Sequence, residues 1–442
     1  MGRVDTPIRH PLAYARITRG WSQADLARLI RKAAERRGLR SGAIPQRVSK
    51  WESGRVIPDD ESQDLLADVF GIDPNTVRAL GWPNWLPGMD GPLPLGPYSN
   101  VTALREALRT TMDLYRRTFT AYSGAALAGL ALQWATDEPH AVATALRGRR
   151  VDSDFVTMLE DTSKRLVTLA TEQRQHAHRL LDAHLHTVTD LIADGRHTTG
   201  IGVRLNTLAT NLSQTLGWYR FDQGDHAGAG KLWHGALHSA HATGDRDLGA
   251  GVLADFAYQS LWLNKPRAAV EVLEYAIRRA DHPMARSVLY LRLGRAYAAL
   301  GEELSCSRAL AAAEHQLGAR SADPAPTWCV WMSASDLAVD SGRCLLDLGH
   351  RRRAHQLIQY GTEVLPVART KTKAVFLAYE ADAYLRDGEY DHAAATATQA
   401  LAMANRIGAP RCVELVHGLL PAFAGHDSAE GVGELLQLAR AS

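Results

Sequence analysis

From residue 100 onward the apolar positions recur at helical spacing, alanine and leucine dominate, and short turns of the GD or NKP kind interrupt the runs. Apolar residues three and four apart place one face of each helix in a core, so this stretch predicts stacked helices and no sheet. Nearer the N-terminus the same spacing marks shorter elements. Residues 8 to 19 turn Leu12, Ile17 and Tyr14 inward, and Leu26, Leu29 and Ile30 follow the capping residue Ser22. Leu65, Leu66, Val69 and Phe70 close a small core behind a helix whose start carries Asp59, Asp60 and Glu61 at its positive end. A fifth short helix is expected over residues 74 to 80. The fold class read from this pattern is all-α.

Residues 45 to 55, PQRVSKWESGR, carry the first candidate chemistry. Pro45 suits the first turn of a helix and Gly54 supplies a left-handed exit. Val48 and Trp51 share one apolar edge, which leaves Gln46, Arg47, Ser49 and Lys50 on the other faces. Gln and Arg match the edges of adenine and guanine in the major groove, and Lys50 and Arg55 can neutralise phosphates. The charge distribution agrees: the whole chain is +2, yet residues 1 to 58 hold 13 Lys and Arg against Asp5, Asp25, Glu35 and Glu52, which is 13 − 4 = +9. The remainder then sums to +2 − 9 = −7, a basic head on a mildly acidic body.

SQADLARLI followed by QRVSKWESGR resembles the phage-repressor or Cro type of helix-turn-helix domain, over roughly residues 8 to 80. The resemblance implies that Gln23, Gln46, Arg47, Ser49 and Lys50 occupy base- and phosphate-contacting positions. In that family about ten residues separate the small residue of the first helix from the apolar residue of the second. Here Ala27 and Val48 are 21 apart. The insert, RKAAERRGLRSG, is expected to prolong the first helix and to add Arg36, Arg37 and Arg40 before Gly38 and Gly42 break it. Behind this head, assigned residues 1 to 80, residues 81 to 99 contain Pro83, Pro87, Pro92, Pro94 and Pro97. That density suits only an extended, semi-rigid linker. Trp82, Trp85 and Tyr98 suggest that it lies against a neighbour.

Residues 100 to 200 are expected to bridge to, or begin, a repeat array that occupies residues 201 to 442. EADAYLRDGEYDHAAATATQAL, residues 380 to 401, resembles a tetratricopeptide repeat, with Tyr384, Gly388, Tyr390, Ala393 and Ala400 at the aromatic, turn and small-residue places. Residues 290 to 310 supply Leu293, Gly294, Tyr297 and Gly301, and residues 216 to 237 supply Leu216, Gly217, Gly224, Ala229, Trp233 and Ala236. Equivalent turns at 224, 264, 301, 349 and 388 give spacings of 40, 37, 48 and 39, longer than the family period of about 34. An insert, SADPAPT, falls in the third spacing. A tetratricopeptide-like α-solenoid exposes a concave face built by the first helix of each pair. Aligned on the turns, Trp218, Tyr258, Arg295, Arg343 and Asp382 take one inward position, and Asn211 and Gln214 lie on the first of those helices. Such a groove suits a peptide or a small anionic ligand. The alternative is that these residues pair with one another, for instance Arg343 with Asp382.

Other features subtract possibilities. His178, Asp182, His186 and Asp190, and separately His234, His238 and His241, form stripes that read as solvated faces rather than metal sites. Cys306, Cys329, Cys344 and Cys412 have no zinc-like grouping and suit a reducing compartment. GDHAGAGKL, residues 224 to 232, fails the phosphate-loop spacing. The apolar run in residues 115 to 135, about fifteen residues long, is short of the roughly twenty needed to span a bilayer and reads as a buried helix. Together these imply a cytoplasmic protein that is not an enzyme and needs no cofactor. A Cro-type head, a proline-rich linker and a tetratricopeptide-like body resemble a family of bacterial one-component transcription regulators. That resemblance implies a homodimer on near-palindromic double-stranded DNA, controlled by a small molecule or peptide. A solenoid adaptor with a degenerate head is the alternative.

Overall fold

The computed structural model describes residues 10–17, 21–70, 72, 77, 82–83, 85–86, 92–96, 99–112, 122–138, 149–167, 169 and 171–441. Its first helices are α1 (Pro11–Ile17), α2 (Gln23–Arg36), α3 (Pro45–Glu52) and α4 (Asp60–Phe70). Ser22 caps α2 by a reciprocal pair, its hydroxyl accepting from the Asp25 amide and the Asp25 carboxylate accepting from the Ser22 amide. As the insert predicts, α2 runs on to Arg36 before Gly38, at φ +68°, turns the chain. Arg31 on α2 donates to the Ala43 carbonyl and ties the inserted loop back against its own helix. Pro45 opens α3, and Gly54, also at φ +68°, closes it with the Arg55 amide bonded to the Lys50 carbonyl at 3.1 Å.

Leu12, Leu26, Ile30, Val48, Trp51, Leu65 and Leu66 are almost wholly buried and form the head's core. Trp85 and Leu86, from the proline-rich segment, complete it, and the Trp85 indole donates to Gln63. The far end of the same segment belongs to the body: the Leu95 amide and carbonyl form a pair with the Gln133 side chain at 2.8 and 2.9 Å. The linker is therefore docked at both ends. The side chains of Tyr14 and Ile17, the fifth helix expected over 74–80, and Tyr98 lie outside the described residues.

Among its described residues the body is helices and turns apart from a two-residue parallel ladder, Arg149–Arg150 with Gly195–Arg196. Four helices lead in: α5 (Ser99–Met112), α6 (Gly124–Thr136), α7 (Ser153–Val167) and α8 (Thr171–Asp194). Five hairpins follow: α9 (Thr199–Asp222) with α10 (His226–Thr243), α11 (Arg246–Trp262) with α12 (Pro266–Arg279), and α13 (Pro283–Ala299) with α14 (Glu303–Gly318). Then come α15 (Ala334–Asp347) with α16 (Arg351–Glu363), and α17 (Thr370–Asp387) with α18 (Tyr390–Ile407). Helices α19 (Pro410–His417) and α20 (Val432–Arg440) cover the last pair. The lead-in helices do not simply precede the stack. α5 lies against α10 and α6 against α12, so they back the first two hairpins.

The turn residues Gly224, Asn264, Gly301, Gly349 and Gly388 all adopt left-handed conformations, with φ of 76, 56, 73, 90 and 80°. After each, the next amide reaches back five residues, as Asp225 does to Arg220 and Glu389 to Tyr384. Seven residues before each turn stands a small buried residue: Gly217, Ala257, Gly294, Gly342 and Ala381. The need is steric, for a Cβ on Gly342 would lie 2.8 Å from the Ala354 carbonyl across the hairpin. The sequence insert between α14 and α15 leads into a short turn, Thr327–Cys329, whose Trp328 packs over Gly251 of α11. Among the described residues no helix is long and apolar enough to cross a membrane. The apolar run around residue 130 is α6, with Leu127, Leu130, Ala131 and Trp134 buried.

Candidate nucleic-acid interface and concave groove

On α3 the division of labour is sharp. Val48 and Trp51 are 0 and 1% exposed, whereas Gln46, Ser49 and Lys50 point to solvent, as do Arg55 and, on the preceding insert, Lys32, Arg36 and Arg40. Two of the expected contact residues are engaged within the protein. Gln23 donates its amide to Glu52 at 2.7 Å, and Arg16 holds the same carboxylate at 2.5 Å, so this trio pins α1, α2 and α3 together. Arg47 leans over Trp51 and reaches Asp59 at 3.3 Å, with 42% of its side chain exposed. An exposed pair of this kind contributes at most about 1 kcal/mol and yields readily to a phosphate.

The first helices of the hairpins share one lined face. At the aligned position the rings of Trp218 and Tyr258 lie 5.3 Å apart, Arg343 pairs with Asp382, and Arg295 reaches Asp347 at 3.2 Å. Gln214 is buried and donates to Asp255 at 2.9 Å, and Asn211 lies half-buried one turn before it. Of the chosen residues, Trp218 meets Tyr258 and Arg343 meets Asp382, whereas Arg295 and Gln214 are held by carboxylates outside the set. Residues one turn to either side extend it: Arg292 pairs with Asp255 and stands over Trp218 and Tyr258, while Arg295 and Arg343 both stand over Tyr379. Burial pushes the Asp340 carboxyl up to about 6 against the pull of Arg295, and raises Asp255 despite Arg292.

Residues from near the end of the stack reach this lined face. Arg411, at the start of α19, donates to the Tyr258 hydroxyl at 2.7 Å and lies 3.0 Å from the Asp222 carboxylate. Its guanidinium sits 5.5 to 6.0 Å from the ring centres of Trp218, Phe221, Tyr258 and Trp262. Lys371 on α17 takes the same Asp222. The last hairpin therefore meets the first across the concave face.

One of the two histidine stripes departs from the sequence reading. His234, His238 and His241 are 2, 2 and 4% exposed, not solvated, because α5 and the linker cover that face of α10. On α8, His178 stacks on Tyr219 with ring centres 4.7 Å apart, and His186 remains exposed. The four cysteines are free and buried.

Residues 12–75 match the family model of the SP15 N-terminal domain. The match covers α1 to α4 and none of the body. No curated protein matches the chain in sequence. Among solved structures, the crystal structure of BtubC (BKLC) from P. vanneervenii is 14% identical, covering 53% of this chain and 92% of that chain at a TM-score of 0.37. At that score the likeness carries no argument.

Asp222, Asp255, Arg292, Asp340, Asp347 and Tyr379 escaped the sequence reading although they lie three or four residues from the chosen inward position. Carrying that position one turn along each helix finds them. Arg411 and Lys371 had no such signal, since only the curvature of the stack brings them to Asp222.

Proposed function

We propose that this chain is a sequence-specific DNA-binding regulator whose helical body dimerises and senses a small molecule or peptide. The observation that carries the reading is the outward row Gln46, Ser49 and Lys50 on a helix held from behind by Val48 and Trp51. A helix fixed by its back and bearing amide, hydroxyl and ammonium groups on its front has the donors that base edges and phosphates accept. The +9 charge of residues 1 to 58 supplies the long-range attraction for a polyanion. One such head makes few base contacts, so a two-fold dimer on a near-palindrome would supply the specificity. The linker, docked at one end on Gln63 and at the other on Gln133, offers a path by which a change in the body alters how the heads are presented.

One observation favours the rival, a helical-repeat adaptor with a degenerate head: Gln23 and Arg47 already have partners within the protein. Titration of DNA by fluorescence anisotropy across a salt series separates the two. A reader loses affinity steeply as salt rises, and Lys50→Ala lowers the slope of log K against log salt by about one. An adaptor shows weak binding that Lys50→Ala and Gln46→Ala leave unchanged.

A further inference from the structure

The linker meets the body at a cluster of three atoms. The Leu93 carbonyl oxygen lies 2.8 Å from Nε2 of His234 and 2.9 Å from Nε2 of His238, and those two nitrogens are 2.9 Å apart. Both histidines are on α10, one turn apart, with their rings at 88°. Ser99 decides where one proton goes. Its hydroxyl lies 2.7 Å from the Gly96 carbonyl and accepts from the Gly96 amide at 3.1 Å; when it donates to that carbonyl, it accepts from Nδ1 of His238. Nδ1 of His238 then carries the hydrogen, and a neutral His238 points a bare Nε2 lone pair at the lone pairs of Leu93. A proton or a cation between them makes that contact favourable.

We propose that His234, His238 and the Leu93 carbonyl form a site for an octahedral late first-row divalent cation, Ni²⁺ or Co²⁺, which bolts the linker to the body. An octahedral ion holding its ligands at about 2.05 Å spaces neighbouring donors by about 1.41 times that distance, or about 2.9 Å. That is the edge of the triangle observed here. Two imidazoles and one carbonyl oxygen suit borderline cations better than Mg²⁺ or Ca²⁺, which take oxygen donors. The chain of hydrogen bonds from His238 through Ser99 to Gly96 is the outer support that orients a metal-binding imidazole. Glu106 adds negative charge on the His234 side. Among the described residues no three His, Cys, Asp or Glu side chains form a metal group, and here the third donor belongs to the main chain. Without a metal, the single Nε2 hydrogen of His234 can be shared between Leu93 and His238, a weaker bolt. The site stands whether or not the head binds DNA.

The test uses the full-length chain, stripped with a chelator and dialysed against Co²⁺ or Ni²⁺ alone, with bound metal counted by mass spectrometry. Expected is one ion per chain, lost in His234→Gln and His238→Gln but kept in His178→Ala, the control for the partly solvated stripe. Circular dichroism verifies folding of each variant. Should either glutamine variant fail to fold, Ser99→Ala, which leaves both ligands in place, is expected to weaken binding by about 10- to 100-fold. X-ray absorption of the Co²⁺ form is expected to show two imidazoles in the coordination sphere. A wild-type chain that takes up no stoichiometric ion, or variants that bind as wild type does, would overturn the proposal.

Discussion

Arg411 donates to the Tyr258 hydroxyl at 2.7 Å although 153 residues separate them. Around that bond the guanidinium also meets Asp222 and four aromatic rings, so one side chain from near the end of the chain reaches the face built by its first hairpins. A ligand entering the groove must displace this arginine or bind beside it.

Removing this contact should weaken the body. Arg411 is 11% exposed and shares Asp222 with Lys371. Arg411→Ala leaves that half-buried carboxylate with a single partner, and the expected loss is about 3 kcal/mol in urea unfolding. Arg411→Lys restores the charge without the planar fork and should recover only part of it. A change under about 0.5 kcal/mol for Arg411→Ala would mean that the contact holds nothing together.

Asp340 predicts a pH dependence. Its carboxyl titrates near 6 in the folded chain and near 3.8 when unfolded, so between those values the folded state holds a proton that the unfolded state has released. Stability contributed by this group is therefore lost as pH rises through that window. The side chain keeps 28% exposure, and the effect is a slope rather than a large offset. Asp340→Asn should flatten the dependence of the unfolding midpoint on pH between 4 and 6; an unchanged profile would place the titration elsewhere.

The small residues of the hairpins can be tested in pairs. Gly342→Ala puts a Cβ 2.8 Å from a main-chain oxygen and 2.7 Å from Ile358, contacts that no rotamer relieves, and should cost about 1–3 kcal/mol. Gly200→Ala, near the start of α9 with open space around it, should gain about 0.5 kcal/mol. Thermal unfolding of both variants decides the matter.

How much of this was legible beforehand depends on range. The five turns were readable because a left-handed residue at a helix end is a local demand that glycine or asparagine meets, and Gly224, Asn264, Gly301, Gly349 and Gly388 all answer to it. The buried edge of α3 was readable for the same reason, since Val48 and Trp51 are one turn apart. The inward face of the hairpins was readable to one position in each helix, and the pairing of Arg343 with Asp382 was foreseen as an alternative. The burial of His234 and His238 was not, because the cover comes from a linker 141 residues away, and period alone cannot say which face of a helix a distant segment will take. Arg411 escaped for the same reason.

The reading of the head as a DNA reader is tested most directly by selecting bound fragments from sheared source genomic DNA with the purified full-length chain at about physiological salt, where nonspecific binding is weak. The control replaces Gln46 and Lys50, both exposed on α3, by alanine. The account predicts a shared near-palindrome enriched by the natural chain and lost with the control. Equal recovery of an unstructured pool by both proteins would contradict it and leave the helical body, and whatever it binds, as the working part of the molecule.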